Sequence, residues 1–213
     1  MNGDGTRLVL ARHGRTAANV AHILDSRPPG WPLDELGQAQ ALQLAARLAS
    51  WPLRAVHASR AVRAQQTAAP VAAGHGLPVQ VVDGVQEVFV GDMEGRSDTD
   101  ALATFDQVYR AWWRGDLGAR MPGGESALDL RERLLPAVEE IVDGVVDGDV
   151  LLVSHGAAVR LAAAALLGET AETFYVPNTG LVVLRREQQG WALESWDTAE
   201  PIRGDVTAGG TPA

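Results

Sequence analysis

The chain has 213 residues, 46% of them hydrophobic, and a formal net charge of −9. That length and apolar content suffice for one domain with a sizeable core, and the acidic surplus argues against a surface built to neutralise nucleic-acid or membrane phosphates, so an anion site must be a local pocket. The sequence has no cysteine, which removes disulfide frameworks, thiolate metal sites and cysteine nucleophiles. Neither the opening MNGDGTR nor any later stretch reads as a signal peptide or a bilayer span, and a cytoplasmic location is expected.

Short apolar runs alternate with longer helical patterns along the chain, which is the signature of crossover units around a mostly parallel sheet. Residues 6–11 form the first expected strand. Asp34 stands as an N-cap before a helix to about Ala49, with Leu36, Ala39, Leu42 and Ala46 at helical spacing. RAVHAS, residues 54–59, is a second strand, and Ser59 is expected to cap the helix that follows through Ala73. A third strand covers residues 77–82. Helices are expected over 98–114 and 125–142, separated by Pro122, Gly123 and Gly124. DVLLVS, residues 149–154, reads as a fully buried central strand, and the helix after it stops at Gly168. LVVLRR and WALESW close the fold as an edge hairpin, a feature that permits a homodimer. A single domain over residues 1–199 is expected, with residues 200–213 a tail of Gly, Thr and Pro without periodicity.

Two of these strands end on the same dipeptide, in LVLARHG and LLVSHG. Ligands of open parallel sheets bind beyond the carboxyl ends of the strands, so His13 and His155 are expected to meet over one pocket. Gly14 and Gly156 let the backbone approach a ligand, and the amides at a helix start favour an anion there. Arg12 is adjacent to His13, and Arg63 falls in the first turn after the second strand. Planar guanidinium groups bind phosphoryl oxygens bidentately, and a neutral imidazole is nucleophilic near pH 7. Glu87, in VQEVFVGDMEG, offers a carboxyl to protonate a leaving alcohol. Such an acid must hold a proton as the ester bond breaks, so hydrolysis is expected to be faster at mildly acidic than at alkaline pH.

The sequence resembles the histidine phosphatase superfamily, in its phosphoglycerate mutase-like branch. The resemblance rests on Arg12-His13-Gly14 with Thr16 and Asn19, Pro32-Leu33 through Gly37 and Gln40, and Ser59 with Arg63-Ala64 and Thr67-Ala68. It continues through Glu87 with Gly91 and Glu94-Gly95, Pro122-Gly123-Gly124-Glu125-Ser126, and Ser154-His155-Gly156. These blocks occur in the family's order over residues 6–185. The resemblance implies an α/β fold, a three-layer α/β/α sandwich around a mostly parallel sheet, with a small cap region around residues 88–124. It implies that His13 is phosphorylated, that Arg12, Arg63 and His155 hold the phosphoryl oxygens, and that Glu87 donates the proton. Asn19 and the backbone of Gly156 complete the pocket, and Ser26 and Arg27 are candidates for touching the non-phosphate end of the substrate. No cofactor or metal is implied; two arginines beside the histidines repel a cation.

Three departures from the family pattern stand near these blocks: Arg15 in place of Glu or Gln, Arg60 in place of Asp, and Gln86 in place of Arg. Arg15 and Arg60 either add charge at the pocket mouth or face solvent, with solvent favoured. His22, His57 and His75 have no recognisable partners and read as structural, as does Glu94. Tyr109, Trp112 and Trp113 read as core packing ahead of an aromatic substrate wall. The expected function is hydrolysis of small phosphate monoesters through a phosphohistidine, with a small phosphorylated substrate as partner and no nucleic acid or membrane. The alternatives are a mutase-type phosphotransferase, for which residues 87–122 are short, and a non-catalytic phosphate-binding module.

Overall fold

The computed structural model describes residues 5–145, 147–168 and 173–199; the tail from residue 200 lies outside them. Strands β1 (Arg7–Arg12), β2 (Leu53–Ser59), β3 (Val79–Val82), β4 (Asp149–Ser154), β5 (Leu181–Glu187) and β6 (Gly190–Trp196) form one sheet in the order β3-β2-β4-β1-β5-β6. The pairings among the first four strands are parallel, while β5 and β6 add an antiparallel hairpin at one edge. Side-chain alternation divides the core between the two faces. Leu8, Leu10, Val150 and Leu152 point to one face, where α5 (Ala127–Asp143) and α6 (Gly156–Leu167) pack. Val9, Ala11, Leu151 and Val153 point to the other, with α2 (Glu35–Leu48) and α3 (Val62–His75). The expected α/β sandwich is therefore what the chain forms.

The register positions the site. Arg12 pairs with Ser154 across the β1/β4 ladder and Ala58 with Val153 across β2/β4. His13, His155 and the Ser59 end of β2 consequently leave the sheet side by side at its carboxyl edge. A short helix α1 (Ala17–Val20) follows the first of them, closed by a capping box between Thr16 and Asn19. Helix α4 (Thr99–Trp112), started by Asp98, lies within the segment from 88 to 124.

Two local expectations shift. β3 begins at Val79 rather than residue 77, because the Leu77 N–H is already donated to Ala72 O where α3 ends at a left-handed Gly76. Ser59 is not the N-cap of α3: that place is taken by Ala61, without a side-chain bond, and the Ser59 hydroxyl pairs with His155 Nε2 at 2.7 Å while accepting the Ala61 N–H at 3.4 Å. No helix among the described residues is long and apolar enough to cross a membrane.

Candidate active site

His13 and His155 come together with ring centroids 5.2 Å apart, and both are buried. Their bonds define their protonation. His13 Nδ1–H donates to Gly14 O at 2.7 Å, which leaves Nε2 as the lone pair, and Arg63 Nε–H donates to it at 3.1 Å. Arg63 Nη2–H donates to His155 Nδ1 at 3.1 Å, so the His155 proton sits on Nε2 and is donated to Ser59 Oγ at 2.7 Å. One guanidinium thus bridges the two imidazoles. Burial, then Arg63 and Arg12, hold the His13 pKa well below 6.5; burial and Arg63 lead the same shift at His155. Both rings are neutral at pH 7, and Nε2 of His13 carries its lone pair without prior proton loss.

Arg63 is itself pinned from behind. Asp25 accepts from its Nη1 through Oδ2 at 3.0 Å and from its Nη2 through the main-chain oxygen at 2.9 Å. Burial lowers the Arg63 pKa, opposed by Asp25 and Glu87, yet a guanidinium remains charged. Gly30 explains part of this fit. At φ +65° it lies against the guanidinium, and a Cβ there would strike Nη1. Arg12 approaches from the other side. Its Nη1 donates to Tyr175 Oη at 2.7 Å and Val176 O at 3.0 Å, while its Nε is buried without a partner among the described residues. A buried charged donor without an acceptor is costly. An anion in the cavity bounded by Arg12, His13, Arg63, Glu87 and Gly156, about 180 Å³ in volume, would offset that cost.

Glu87 reaches this cavity as a cap on α6. Val88 and Ala158 N–H donate to Oε1 at 2.9 and 3.0 Å, and Ala157 N–H donates to Oε2 at 3.1 Å. Oε2, with one donor against two, is the oxygen with room for a proton. The backbone that carries Glu87 is clamped by Arg133 from α5. Arg133 Nη1 donates to Gly84 O and Gln86 O at 2.7 and 3.0 Å, and Nη2 donates to Glu87 O at 2.8 Å. Nε and Nη2 also grip the two oxygens of Glu125, each at 2.8 Å. Glu125 in turn accepts Phe89 N–H at 2.9 Å. Arg133 was not singled out in the sequence, and no spacing rule points to it.

This geometry matches what comparison with known proteins finds. The family model for the histidine phosphatase superfamily, branch 1, matches residues 8–199. The chain belongs to that superfamily. A glucosyl-3-phosphoglycerate phosphatase of Mycolicibacterium vanbaalenii is 29% identical over 94% of this chain and 98% of its own length. A Mycobacterium tuberculosis PE-PGRS family protein, PE_PGRS11, is 31% identical over 92% of this chain; the match spans only 37% of that larger protein. Among solved structures, a mycobacterial glucosyl-3-phosphoglycerate phosphatase in complex with VO₃ superposes with a TM-score of 0.78 at 29% identity, covering 91% of this chain and 99% of that one.

In this histidine phosphatase, the other expected residues divide. Asn19 and Gly156 line the cavity. Asn19 Oδ1 is occupied by Thr16 N–H, and Asn178, which the sequence reading passed over, donates to His13 O at 2.9 Å. Ser26 lines the cavity too, but its hydroxyl is turned into the structure: it donates to Glu94 and accepts Val90 N–H at 3.2 Å. Arg27 is exposed and does not line the cavity, since its N–H is drawn to Glu94 and its side chain is left in solvent. The Ser26 hydroxyl is thus engaged within the protein, and the Arg27 side chain faces solvent.

The aromatic group on α4 also divides. Trp112 is buried and donates to Ala119 O at 2.7 Å, and Trp113 packs under the Arg160 guanidinium, 3.7 Å from its ring. Phe105, a turn earlier and stacked on Tyr109, is the one that lines the cavity. Arg60 extends into solvent beside Asp83, and Arg15 Nε donates to Asp34 at 2.8 Å. A larger depression between β3 and α5, about 460 Å³ in volume, includes His57, Asp83 and Glu140 but none of the residues described above as bounding the histidine cavity.

Proposed function

We propose that this chain hydrolyses small phosphate monoesters through a phosphohistidine on His13, without a metal. The arrangement that carries this reading is Arg63 set between the lone pairs of two neutral, buried imidazoles. A dianion entering the cavity takes over the Arg63 donors and frees His13 Nε2. It also meets the positive charge of Arg12, which lines the cavity. Ser59, whose hydroxyl both donates and accepts, lets His155 move its proton to Nδ1 and present it to a phosphoryl oxygen.

In the first step the Nε2 lone pair forms a bond to phosphorus while the ester P–O bond breaks, and the proton on Glu87 Oε2 goes to the departing alkoxide. In the second, Glu87 takes a proton from water, the water oxygen bonds to phosphorus, and the P–N bond breaks to return neutral His13 and release phosphate. Arg63 occupies the place between the histidines that a bound cation would need, and among the described residues no group of three or more His, Asp or Glu is gathered to hold one. Residues 88–124 act as the cap, contributing Phe105.

Water is the acceptor in this reading because the cavity opens to solvent past the exposed Val20 and Tyr175. Phosphate release from a panel of monoesters, run beside a phosphoglycerate mutase assay, tests it: release by the wild-type chain and none by His13→Ala supports the hydrolase, whereas transfer to a second hydroxyl without release refutes it. EDTA is expected to leave the rate unchanged.

A further inference from the structure

The cavity holding the phosphoryl site continues into an open groove of about 580 Å³, sharing Arg12, Asn19, Ile23, Leu24 and Phe105 with it. An ester bound by its phosphoryl group must place its alcohol part there or in solvent. One wall is apolar, formed by Ile23, Leu24, Leu102, Phe105 and the Tyr175 ring. The charged residues of the groove are of one sign: Arg12 and Arg15 line it, and none of its lining residues is acidic. In a chain with net charge −9, such a groove is a local exception to the molecule's field.

Arg15 gives the groove its chemistry. It follows Gly14 directly after the nucleophile, and its backbone is fixed from both ends: Gln40 Oε1 accepts its N–H at 2.8 Å, and its main-chain oxygen accepts Asp34 N–H at 3.1 Å. Only Nε is committed on the side chain, to Asp34 Oδ2. The two terminal amino groups have no partner among the described residues, and the side chain is 38% exposed. Asp34 therefore orients the fork from behind while its outer edge stays available. A planar pair of N–H donors is the group that recognises a carboxylate or a second phosphate.

We infer that the substrate carries a second anionic group on its alcohol part, recognised by Arg15, with an uncharged carbon segment between the two anions lying along Phe105 and the leucine wall. This deepens the phosphatase reading and rests on it only for the phosphoryl end. The acceptors of Arg15 follow from its own bonds, and its place in the wall of the groove that adjoins the phosphoryl cavity sets where the second anion lies.

The experiment compares matched pairs that differ in the second charge: phenyl phosphate with 4-carboxyphenyl phosphate, and glycerol 3-phosphate with 3-phosphoglycerate. In parallel, calorimetry measures binding of propylphosphonate and 4-phosphonobutanoate, which need no turnover. The acid of at least one ester pair is expected to have a kcat/KM about tenfold higher, through KM, and the acidic phosphonate to bind correspondingly tighter. Arg15→Gln should erase that ratio, Arg15→Lys retain part of it, and Asp34→Asn, which keeps an oxygen to cap α2, retain or enlarge it. Equal treatment of acid and neutral partners by the wild type, in turnover and in binding, overturns the inference, as does an Arg15→Gln loss of the same size on both partners. If no ester turns over but the phosphonates show the Arg15-dependent preference, the hydrolase reading fails and the second-anion site stands.

Discussion

Replacing Arg133 by Met separates the positioning of the proton donor from its presence. The guanidinium makes five bonds, three to the carbonyls of Gly84, Gln86 and Glu87 and two to Glu125. Methionine fills the volume and makes none. Breaking a buried ion pair by removing one partner costs about 3–5 kcal/mol; here the side chains are 20% and 15% exposed, water reaches the orphaned groups, and a loss of about 2–3 kcal/mol in stability is expected. The catalytic effect is distinct. A shift of about 1 Å in a reacting group costs on the order of a hundredfold, and the group displaced is Glu87, which protonates the alkoxide in the first step and takes a proton from water in the second. In kcat/KM, which runs only to departure of the alcohol, an alkyl phosphate, whose alkoxide needs that proton, should lose about ten- to a hundredfold; p-nitrophenyl phosphate, whose phenolate leaves without it, should lose less than about threefold. The assay is steady-state kinetics on both esters below the variant's melting temperature, with Arg133→Lys expected to recover part of the alkyl rate. Equal losses on both esters would show that Arg133 merely holds the fold together, and no loss on either would show that the clamp does not set the acid.

Glu87→Gln should follow the same leaving-group pattern more severely, by about a hundredfold or more in kcat/KM on the alkyl ester; a loss of equal size in kcat/KM for p-nitrophenyl phosphate would move the acid elsewhere. The depressed histidine pKa values bear on stability. Above pH 6.5 folded and unfolded chains both hold neutral imidazoles at 13 and 155; below it the unfolded chain takes up protons that the buried rings refuse. Stability should therefore fall as pH drops below 6.5, by about 1.4 kcal/mol per unit for each histidine. Urea melts at pH 7.5 and 5.5 should show a smaller acid loss for His13→Asn than for the wild type, and an identical loss would refute the assignment. Ser59→Ala should lower stability by about 1–3 kcal/mol, since it strands the His155 Nε2–H in a fully buried site; an unchanged melt would remove that bond from the account.

What the sequence disclosed was governed by local rules. Continuous apolar runs marked β1 and β4, and two strands ending in His-Gly put two imidazoles at one sheet edge. Asp34 announced its helix by capping chemistry together with the apolar spacing behind it. What stayed hidden depends on contacts between distant segments. Ser59 has the composition of a cap, yet the proximity of β2 to β4 gives its hydroxyl to His155. Ser26 and Arg27 sit in a loop at the cavity, but Glu94, 68 and 67 residues away, accepts the Ser26 hydroxyl and both backbone N–H groups. Arg133 looks like any helical arginine until its helix packs beside residues 84–87. Which aromatic faces the cavity was set by the rotation of α4, a quantity that packing decides, so Trp112 went inward and Phe105 toward the ligand.

The central claim is that phosphorus is bonded to His13 Nε2 during turnover. The direct measurement is to mix the chain with a phosphate monoester, quench within one turnover in alkali, where phosphoramidates survive, and sequence the peptides by mass spectrometry. The account predicts a phosphoryl group on the peptide bearing His13, located on that residue, and absent from His13→Ala. Turnover at full rate with no labelled peptide, or with the label on His155 or any other residue, would contradict it.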